Sequence, residues 1–172
     1  MGHNGRVTRH GADVDRTAEW DALRRSHLRP RHERAPSSAR GVHHVALLSR
    51  DVERTIAFYQ DVLEFPLVEL FENRDYRGST HFFFDIGHGN TIAFFDFPGL
   101  DLGPYAEVLG GLHHLAISMD PDRWAHVKAK LDVAGVAYAH VDGSSLYFAG
   151  PDGERLELIS DPLGEMYGRP VG

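Results

Sequence analysis

Alternating apolar and polar positions dominate residues 41–161, and this period of two predicts short strands. Two of the strands flank the glycine turn at residues 87–90, and two others flank the turn at residues 150–153, which is the pattern of hairpins. The predicted strands after the first histidine pair are Leu67–Asn73, His81–Ile86, Thr91–Phe97, Val136–His140, Ser145–Ala149 and Arg155–Ser160.

Apolar residues at helical spacing interrupt this pattern twice. Asp51–Leu63 carries apolar positions three or four residues apart, and Pro121–Ala134 does the same before Gly135, a residue that commonly ends a helix. One helix is therefore predicted in each half of the region.

The two halves are an internal repeat. The segment Gly41-Val-His-His-Val-Ala-Leu47 returns as Gly111-Leu-His-His-Leu-Ala-Ile117, and each copy is followed by one helix and three strands. Each half is read as β-α-β-β-β, so we expect an α+β fold made of two modules.

Residues 1–40 differ in composition from the rest. They hold nine arginines against five acids, whereas residues 41–172 hold nine Lys/Arg against twenty acids. We expect residues 1–40 to be a basic, partly disordered arm with one short helix at Thr17–Leu28. The acidic remainder disfavours nucleic acid as a partner, since it would repel phosphates.

Three absences narrow the function further. No apolar run approaches the roughly 20 residues that span a bilayer, and the first residues lack the apolar core of a signal peptide, so no membrane partner and a cytoplasmic location are expected. The chain has no cysteine, so any metal would be held by His, Asp or Glu.

Strand parity selects three candidate metal ligands. Side chains alternate between the two faces of a strand, which places His44 and His114 on the face opposite the helix and Glu157 on the same side of its own strand. Parity directs His43 and His113 away from that cleft. Two imidazoles and one carboxylate suit a single divalent ion, with positions left open for substrate or water.

The motifs Gly41-Val-His-His44, Gly111-Leu-His-His114 and Pro151-Asp-Gly-Glu-Arg-Leu-Glu157 resemble the vicinal oxygen chelate superfamily. That superfamily includes glyoxalase I, fosfomycin-resistance enzymes, extradiol ring-cleaving dioxygenases and bleomycin-binding proteins. The resemblance implies two βαβββ modules that form a cup-shaped mixed sheet around a metal cleft, with helices outside. It also implies the same three ligands, a small-molecule substrate and a homodimer.

The resemblance divides residues 41–172 into module one (41–105), module two (106–161) and a C-terminal tail (162–172). Whether the modules pair within one chain or across a dimer stays open. Fe(II) is the favoured metal, and Mn(II), Ni(II) or Zn(II) also fit the ligand set.

Ala93 separates the chain from glyoxalase I. Alignment of the repeats places it where glyoxalase-like members carry a fourth ligand and where extradiol enzymes carry an acid–base histidine. The order His140, Tyr147, Pro151-Asp-Gly153, Glu157 resembles the extradiol pattern, which implies that Tyr147 and His140 hydrogen-bond substrate and exchange its protons. If the glycine turn is a five-residue loop, Tyr147 is expected to stand opposite Glu157 on the cleft face. Phe83 and Phe95 are expected to line an apolar substrate pocket, with His81 beside them.

Three functions follow from these features. The leading one is an extradiol ring-cleavage dioxygenase that binds its substrate through two vicinal oxygens. The second keeps the metal as a Lewis acid for a redox-neutral glyoxalase, epimerase or thiol-transferase reaction of the lyase or isomerase type. The third is a resistance protein that binds a drug or metabolite without turnover.

Overall fold

The structure is a computed structural model that describes residues 14–171 of the chain. The chain divides into two compact units, Met1–Ala39 and Arg40–Gly172. In the first unit, helix α1 spans Thr17–His27, close to the predicted range, and a short 3-10 turn follows at Arg31–Glu33. The disorder predicted for the arm falls partly on residues 1–13, which lie outside the described residues.

The first module of the second unit is a four-stranded sheet. Its strands are β1 (His44–Leu48), β2 (Leu67–Glu72), β3 (Thr80–Asp85) and β4 (Thr91–Phe95). They lie in the order β1-β4-β3-β2, with β1 parallel to β4 and the other neighbours antiparallel.

The second module repeats that sheet. Its strands are β5 (Leu115–Ser118), β6 (Tyr138–Val141), β7 (Ser145–Ala149) and β8 (Arg155–Ile159). Their order is β5-β8-β7-β6, again with one parallel pair at β5 and β8. The α+β class and the two βαβββ modules predicted from the sequence are confirmed.

One helix accompanies each sheet. Helix α2 begins at Val52, where the Asp51 side chain accepts a hydrogen bond from the Arg54 amide at 3.0 Å and so satisfies a free N–H of the first turn. After Ile56 the helix continues with π-helical hydrogen bonding over Ala57–Val62. Helix α3 spans Pro121–Val133, and its first residue is a proline, whose missing N–H costs nothing at that position.

The helices and the inner faces of both sheets share one apolar core. The side chains that are fully or almost fully buried in this core are Tyr59, Leu63, Phe65, Phe82, Phe84, Ile92, Phe94, Ile117, Trp124, Val127, Leu131, Leu146, Phe148, Leu156 and Leu158. Because residues of both modules contribute, neither module has a separate core.

Two polar contacts fix the modules further. The hydroxyl of Tyr59, on the π-helical turn, donates to Glu154 of the β7–β8 turn at 2.8 Å, and Arg54 Nη2 donates to Asp152 Oδ1 at 2.7 Å. Glu154 is itself buried, and that burial raises the pKa of its carboxyl. The β7–β8 turn is thereby joined to the helix of the first module.

The two sheets are not joined to each other. Within residues 14–171, β1 and β5 each have a strand partner on one side only, so each is an edge of its sheet. The cup-shaped sheet expected from the resemblance is therefore not closed within the chain.

The C-terminal tail forms a small hairpin of β9 (Glu165–Met166) and β10 (Arg169–Pro170). Among the helices of the described region, none has the length and apolarity needed to cross a bilayer.

Candidate metal centre

The outer face of the second sheet brings together a histidine and a carboxylate. Glu157 on β8 lies beside Ala116 of β5, and His114, the residue just before β5, contacts the Glu157 carboxylate. The distance from His114 Nε2 to Glu157 Oε2 is 3.0 Å. Glu157 is only 5% exposed, and its other oxygen accepts a hydrogen bond from Ser145 Oγ at 2.6 Å.

Tyr147 stands directly opposite Glu157 in the β7–β8 pair, as the sequence pattern predicted. Burial and the hydrogen bond with the Glu157 carboxylate raise the pKa of the Tyr147 phenol to about 12. The ring meets His114 edge to face at 5.7 Å, and the Arg155 guanidinium lies over it at 5.1 Å. Tyr147 therefore keeps its proton at neutral pH and can donate it in a hydrogen bond.

Each candidate ligand histidine contacts the histidine before it. The Nδ1 atoms of His43 and His44 are 2.9 Å apart, and those of His113 and His114 are 2.7 Å apart. Parity directed the first residue of each pair away from the cleft. His43 lies one residue before β1, however, and His113 lies two residues before β5, so neither is held to strand geometry.

The outer face of the first sheet carries the predicted aromatic group. His81 stacks on Phe95 with ring centroids 3.8 Å apart, and Phe83 lies 4.2 Å from His81. His44 meets Phe83 edge to face at 6.0 Å. Among residues 14–171, the buried Nε2 of His81 has no hydrogen-bond partner, and burial, with a smaller effect of His44, lowers the pKa of the His81 imidazole.

Strand register relates the two faces position by position. Ala93 pairs with Ala46, just as Glu157 pairs with Ala116, so Ala93 occupies the place in module one that Glu157 occupies in module two. The next strand gives the corresponding pair, because Phe83 lies opposite Ala93 as Tyr147 lies opposite Glu157. Module one thus presents apolar and aromatic groups where module two presents hydrogen-bonding groups.

The three predicted ligands do not meet in one chain. In the part of the chain that the structure describes, no three His, Asp or Glu side chains form a group that could hold a metal. His114 and Glu157 are a ready pair, with an imidazole nitrogen and a carboxylate oxygen converging, which is donor chemistry that fits a divalent ion. His44 lies on the other sheet.

His140 does not lie with Tyr147. It pairs with Leu146 on β7, whereas Tyr147 pairs with Ala139, so His140 is on the helix side of the sheet. Its ring lies 5.4 Å from that of Trp124 on α3. The order of residues in the sequence matched the extradiol pattern, but the strand alternation puts His140 on the opposite face from the candidate site.

A cavity of about 590 Å³ lies elsewhere, between the ends of β1 and β4 and the segment that links the modules. Arg50, Asp96, Asp152 and Glu154 supply its polar wall. None of the candidate ligands lines it. The His114–Glu157 pair lies outside this cavity.

Two side chains near the pair were not predicted. Ser145 shares the parity of Tyr147, and this spacing could have identified it as a partner of Glu157. Tyr167, at the tip of the C-terminal hairpin, interacts with Tyr147 closely enough to contribute to its raised pKa. The Tyr167 backbone amide donates a hydrogen bond to Asp161 Oδ2 at 2.8 Å, a contact that no local sequence pattern indicates.

Comparisons with known proteins identify relatives of the chain. The chain is 26% identical over 139 residues to MhqA of Bacillus subtilis (strain 168), which is named as a proposed ring-cleaving dioxygenase; the match covers 76% of this chain and 43% of MhqA. The chain therefore spans less than half the length of that relative.

Solved structures show the same fold. A glyoxalase/bleomycin resistance protein/dioxygenase domain from Frankia sp. EAN1pec superposes with a TM-score of 0.63 at 22% identity, over 74% of this chain and 96% of that one. A mutant of the fosfomycin resistance protein FosX from Listeria monocytogenes, complexed with Mn(II) and a dihydroxypropylphosphonic acid, gives a TM-score of 0.53 at 22% identity, over 72% and 94%.

Residues 41–158, more than two thirds of the chain, match one family as a whole. That stretch includes both histidine pairs and Glu157. The chain belongs to the Glyoxalase/Bleomycin resistance protein/Dioxygenase superfamily.

Proposed function

We propose that this protein is a metal-dependent enzyme that binds a small substrate through two vicinal oxygens, and that its reaction is ring cleavage by a dioxygenase. The observation that carries the proposal is the group formed by His114, Glu157 and Tyr147 on one sheet face. A metal ligand pair and a protonated phenol lie side by side there. The name of the relative MhqA supports the choice of reaction.

The metal would be held by His44, His114 and Glu157. When bound, it would supply Lewis acidity and, in the case of Fe(II), the capacity to react with O₂. Ser145 would keep the Glu157 carboxylate in place through its 2.6 Å hydrogen bond. Tyr147 would donate a hydrogen bond to a substrate oxygen.

A second copy of the chain would supply the missing histidine. His44 lies on the first sheet and the His114–Glu157 pair on the second, while the edges of β1 and β5 are open. If β1 of one copy approached β5 of another, each site would contain His44 from one chain and the other two ligands from its partner. The homodimer is part of the proposal for this reason.

The aromatic face of module one would then cover the substrate. Phe83, Phe95 and His81 lie on the same face of the first sheet as His44. In the proposed dimer this face would lie opposite Tyr147 of the partner and would suit the ring of a catechol. His140 has no part in the proposal, since it lies on the helix side.

The test begins with the metal content of untagged protein by elemental analysis. Protein loaded with Fe(II) under anaerobic conditions is then mixed with a panel of catechols, and O₂ uptake is recorded. We expect one metal per chain and O₂ consumption with at least one catechol, both abolished in Glu157→Gln and retained in Glu165→Gln, an exposed control.

Turnover without O₂ in protein loaded with Mn(II), Ni(II) or Zn(II) would contradict the proposed dioxygenase reaction and would favour a redox-neutral one. Tight binding of a ligand to metal-free protein, with the same affinity in His44→Ala, would contradict both enzymatic functions and would favour a binding protein without turnover.

A further inference from the structure

The contact between adjacent histidines occurs in both modules with the same geometry. The rings of His43 and His44 meet at 77° with centroids 5.2 Å apart, and those of His113 and His114 meet at 74° and 4.9 Å. In each pair the two Nδ1 atoms are within 3 Å. A chance contact of surface side chains would not be expected to recur seventy residues later, so the pairing calls for a common cause.

A hydrogen bond between two ring nitrogens fixes the tautomers of both rings. One Nδ1 must carry the proton and the other must offer its lone pair. Because a neutral imidazole has a single N–H, the choice at Nδ1 decides whether the distal Nε2 is a donor or an acceptor. For His114 that distal atom is the one 3.0 Å from Glu157.

The surroundings of His113 accommodate both tautomers. In one arrangement, His114 donates from Nε2 to Glu157 and accepts at Nδ1 from His113, whose own Nε2 accepts from Arg155 Nη1 at 3.4 Å. In the other, His114 donates from Nδ1 to His113, and His113 turns an Nε2–H towards Glu107, 3.8 Å away. Only the second leaves the His114 Nε2 lone pair free for a metal.

We propose that His113 is a positioning residue that switches the tautomer of His114 and so prepares its Nε2 for a metal ion. The proton on His113 Nδ1 passes to His114 Nδ1, the His114 Nε2 proton leaves to solvent, and His113 Nε2 takes one proton from solvent. The charge of the pair is unchanged. The same role falls to His43 beside His44 in the other module. The inference rests on the proposed metal site but not on the reaction that the metal serves.

The first test is direct observation of the tautomers. Ring ¹⁵N–¹H correlation spectra of the full chain, with and without one equivalent of Zn²⁺, report which nitrogen of each imidazole carries the proton. We expect His114 to change from Nε2–H to Nδ1–H on zinc binding, and His113 to change from Nδ1–H to Nε2–H. A His113 ring that keeps one tautomer in both states would overturn the proposal.

The second test is zinc affinity by competition with a chelator. His113→Ala should weaken binding by about 10–100-fold, the usual effect of removing a partner of a metal-ligating histidine. His113→Asn should restore most of that affinity, because an amide placed at the Nδ1 position can donate or accept. His32→Ala, an exposed histidine of the arm, is the control.

The outcomes separate the two proposals. If wild-type protein binds no zinc, the proposed metal site fails and this inference fails with it. Wild-type protein could bind zinc while His113→Ala binds it equally well, or while His113→Asn binds it no better than His113→Ala. Either result would leave the proposed metal site standing and would contradict the positioning role of His113.

Discussion

At the scale of single residues, the short hydrogen bond from Ser145 to Glu157 shows how the second module holds a candidate ligand. Both side chains are buried, and the hydroxyl meets the oxygen of the carboxylate that does not face His114. A carboxylate held by a neighbouring donor loses less freedom when it binds a metal. Ser145 is thus as much a part of the candidate site as Tyr147.

Replacement of Ser145 by Ala should therefore weaken metal binding without removing a ligand. We expect zinc affinity to fall by roughly 10-fold. The free energy of unfolding should also fall, by about 1–3 kcal/mol, because a buried charged group loses a donor. Chelator competition and urea unfolding measure the two effects. Ser144→Ala, one residue earlier on the opposite parity, should change neither, and equal losses in both variants would contradict the assignment.

Only part of the candidate site could be predicted from the sequence. Parity correctly placed Tyr147 opposite Glu157, because both lie inside regular strands. The role of His140 followed from the order of residues in the resemblance and not from parity, and the register with Leu146 puts it on the opposite face. The contact between His113 and His114 was not predictable either, since it depends on backbone outside the strand.

At the scale of secondary structure elements, Glu64 links the two helices. It follows α2 and its π-helical extension and has a left-handed backbone, with φ of 61°. Its carboxylate meets three cationic or potentially cationic side chains of α3, namely Arg123, His126 and Lys130, at 3.4, 3.0 and 2.9 Å. Hydrogen bonds from Lys130 and His126 lower the pKa of the Glu64 carboxyl to about 2.

Glu64→Gln should destabilise the fold at neutral pH by about 1 kcal/mol, the range of a partly exposed ion-pair network. Because the folded pKa is lowered, the contribution of Glu64 is complete above the ordinary value of 4.5 and is lost as the pH falls from there through about 2. Urea unfolding of the wild type and the variant at several pH values measures this difference.

The stabilities of the two proteins should converge in acid. Glu53→Gln, an exposed glutamate on α2, serves as the matched control and should leave stability nearly unchanged at every pH. A Glu64→Gln deficit that persisted at pH 2 would show that the carboxylate acts through packing rather than charge.

The elements themselves were largely predictable. Strand bounds agree with the expected ones to within two residues, and those of β7 agree fully, because alternation and glycine turns are local signals. The π-helical hydrogen bonding over Ala57–Val62 was not foreseen, since its apolar spacing is also that of an α-helix.

At the scale of the whole molecule, the open edges of β1 and β5 are the main departure from the expected cup. The sequence contains the strands and the repeat, but nothing in it states whether the sheets meet within a chain or between chains. Both arrangements bury the same core, so hydrophobic patterning cannot distinguish them.

Mixing two inactive variants tests whether the site is shared between chains. His44→Ala and His114→Ala each remove one ligand from every site of their own homodimer. After the subunits have exchanged, half the dimers contain one chain of each variant. In each of these mixed dimers, one of the two sites has all three ligands, because intact His44 of one chain meets intact His114 and Glu157 of the other. Bound zinc should recover to about a quarter of the wild-type sites.

Exchange must be confirmed in the same sample, for instance by mass spectrometry of differently labelled chains. With exchange established, no recovery of bound zinc would mean that each chain builds its own site, and the dimer would have to be abandoned as the source of His44. A mixture of His44→Ala with Glu157→Gln should behave like the first mixture, since Glu157 lies on the same sheet as His114.

The equivalence of Ala93 and Glu157 has a consequence for how the molecule can change over time. The two modules share one strand plan, but module two presents hydrogen-bonding groups at the positions where module one presents a hydrophobic wall. Substitutions at Phe83 or Phe95 can therefore reshape the aromatic face of module one without touching the His114–Glu157 pair. Divergence of substrate preference is expected to accumulate in module one, and conservation of reactivity in module two.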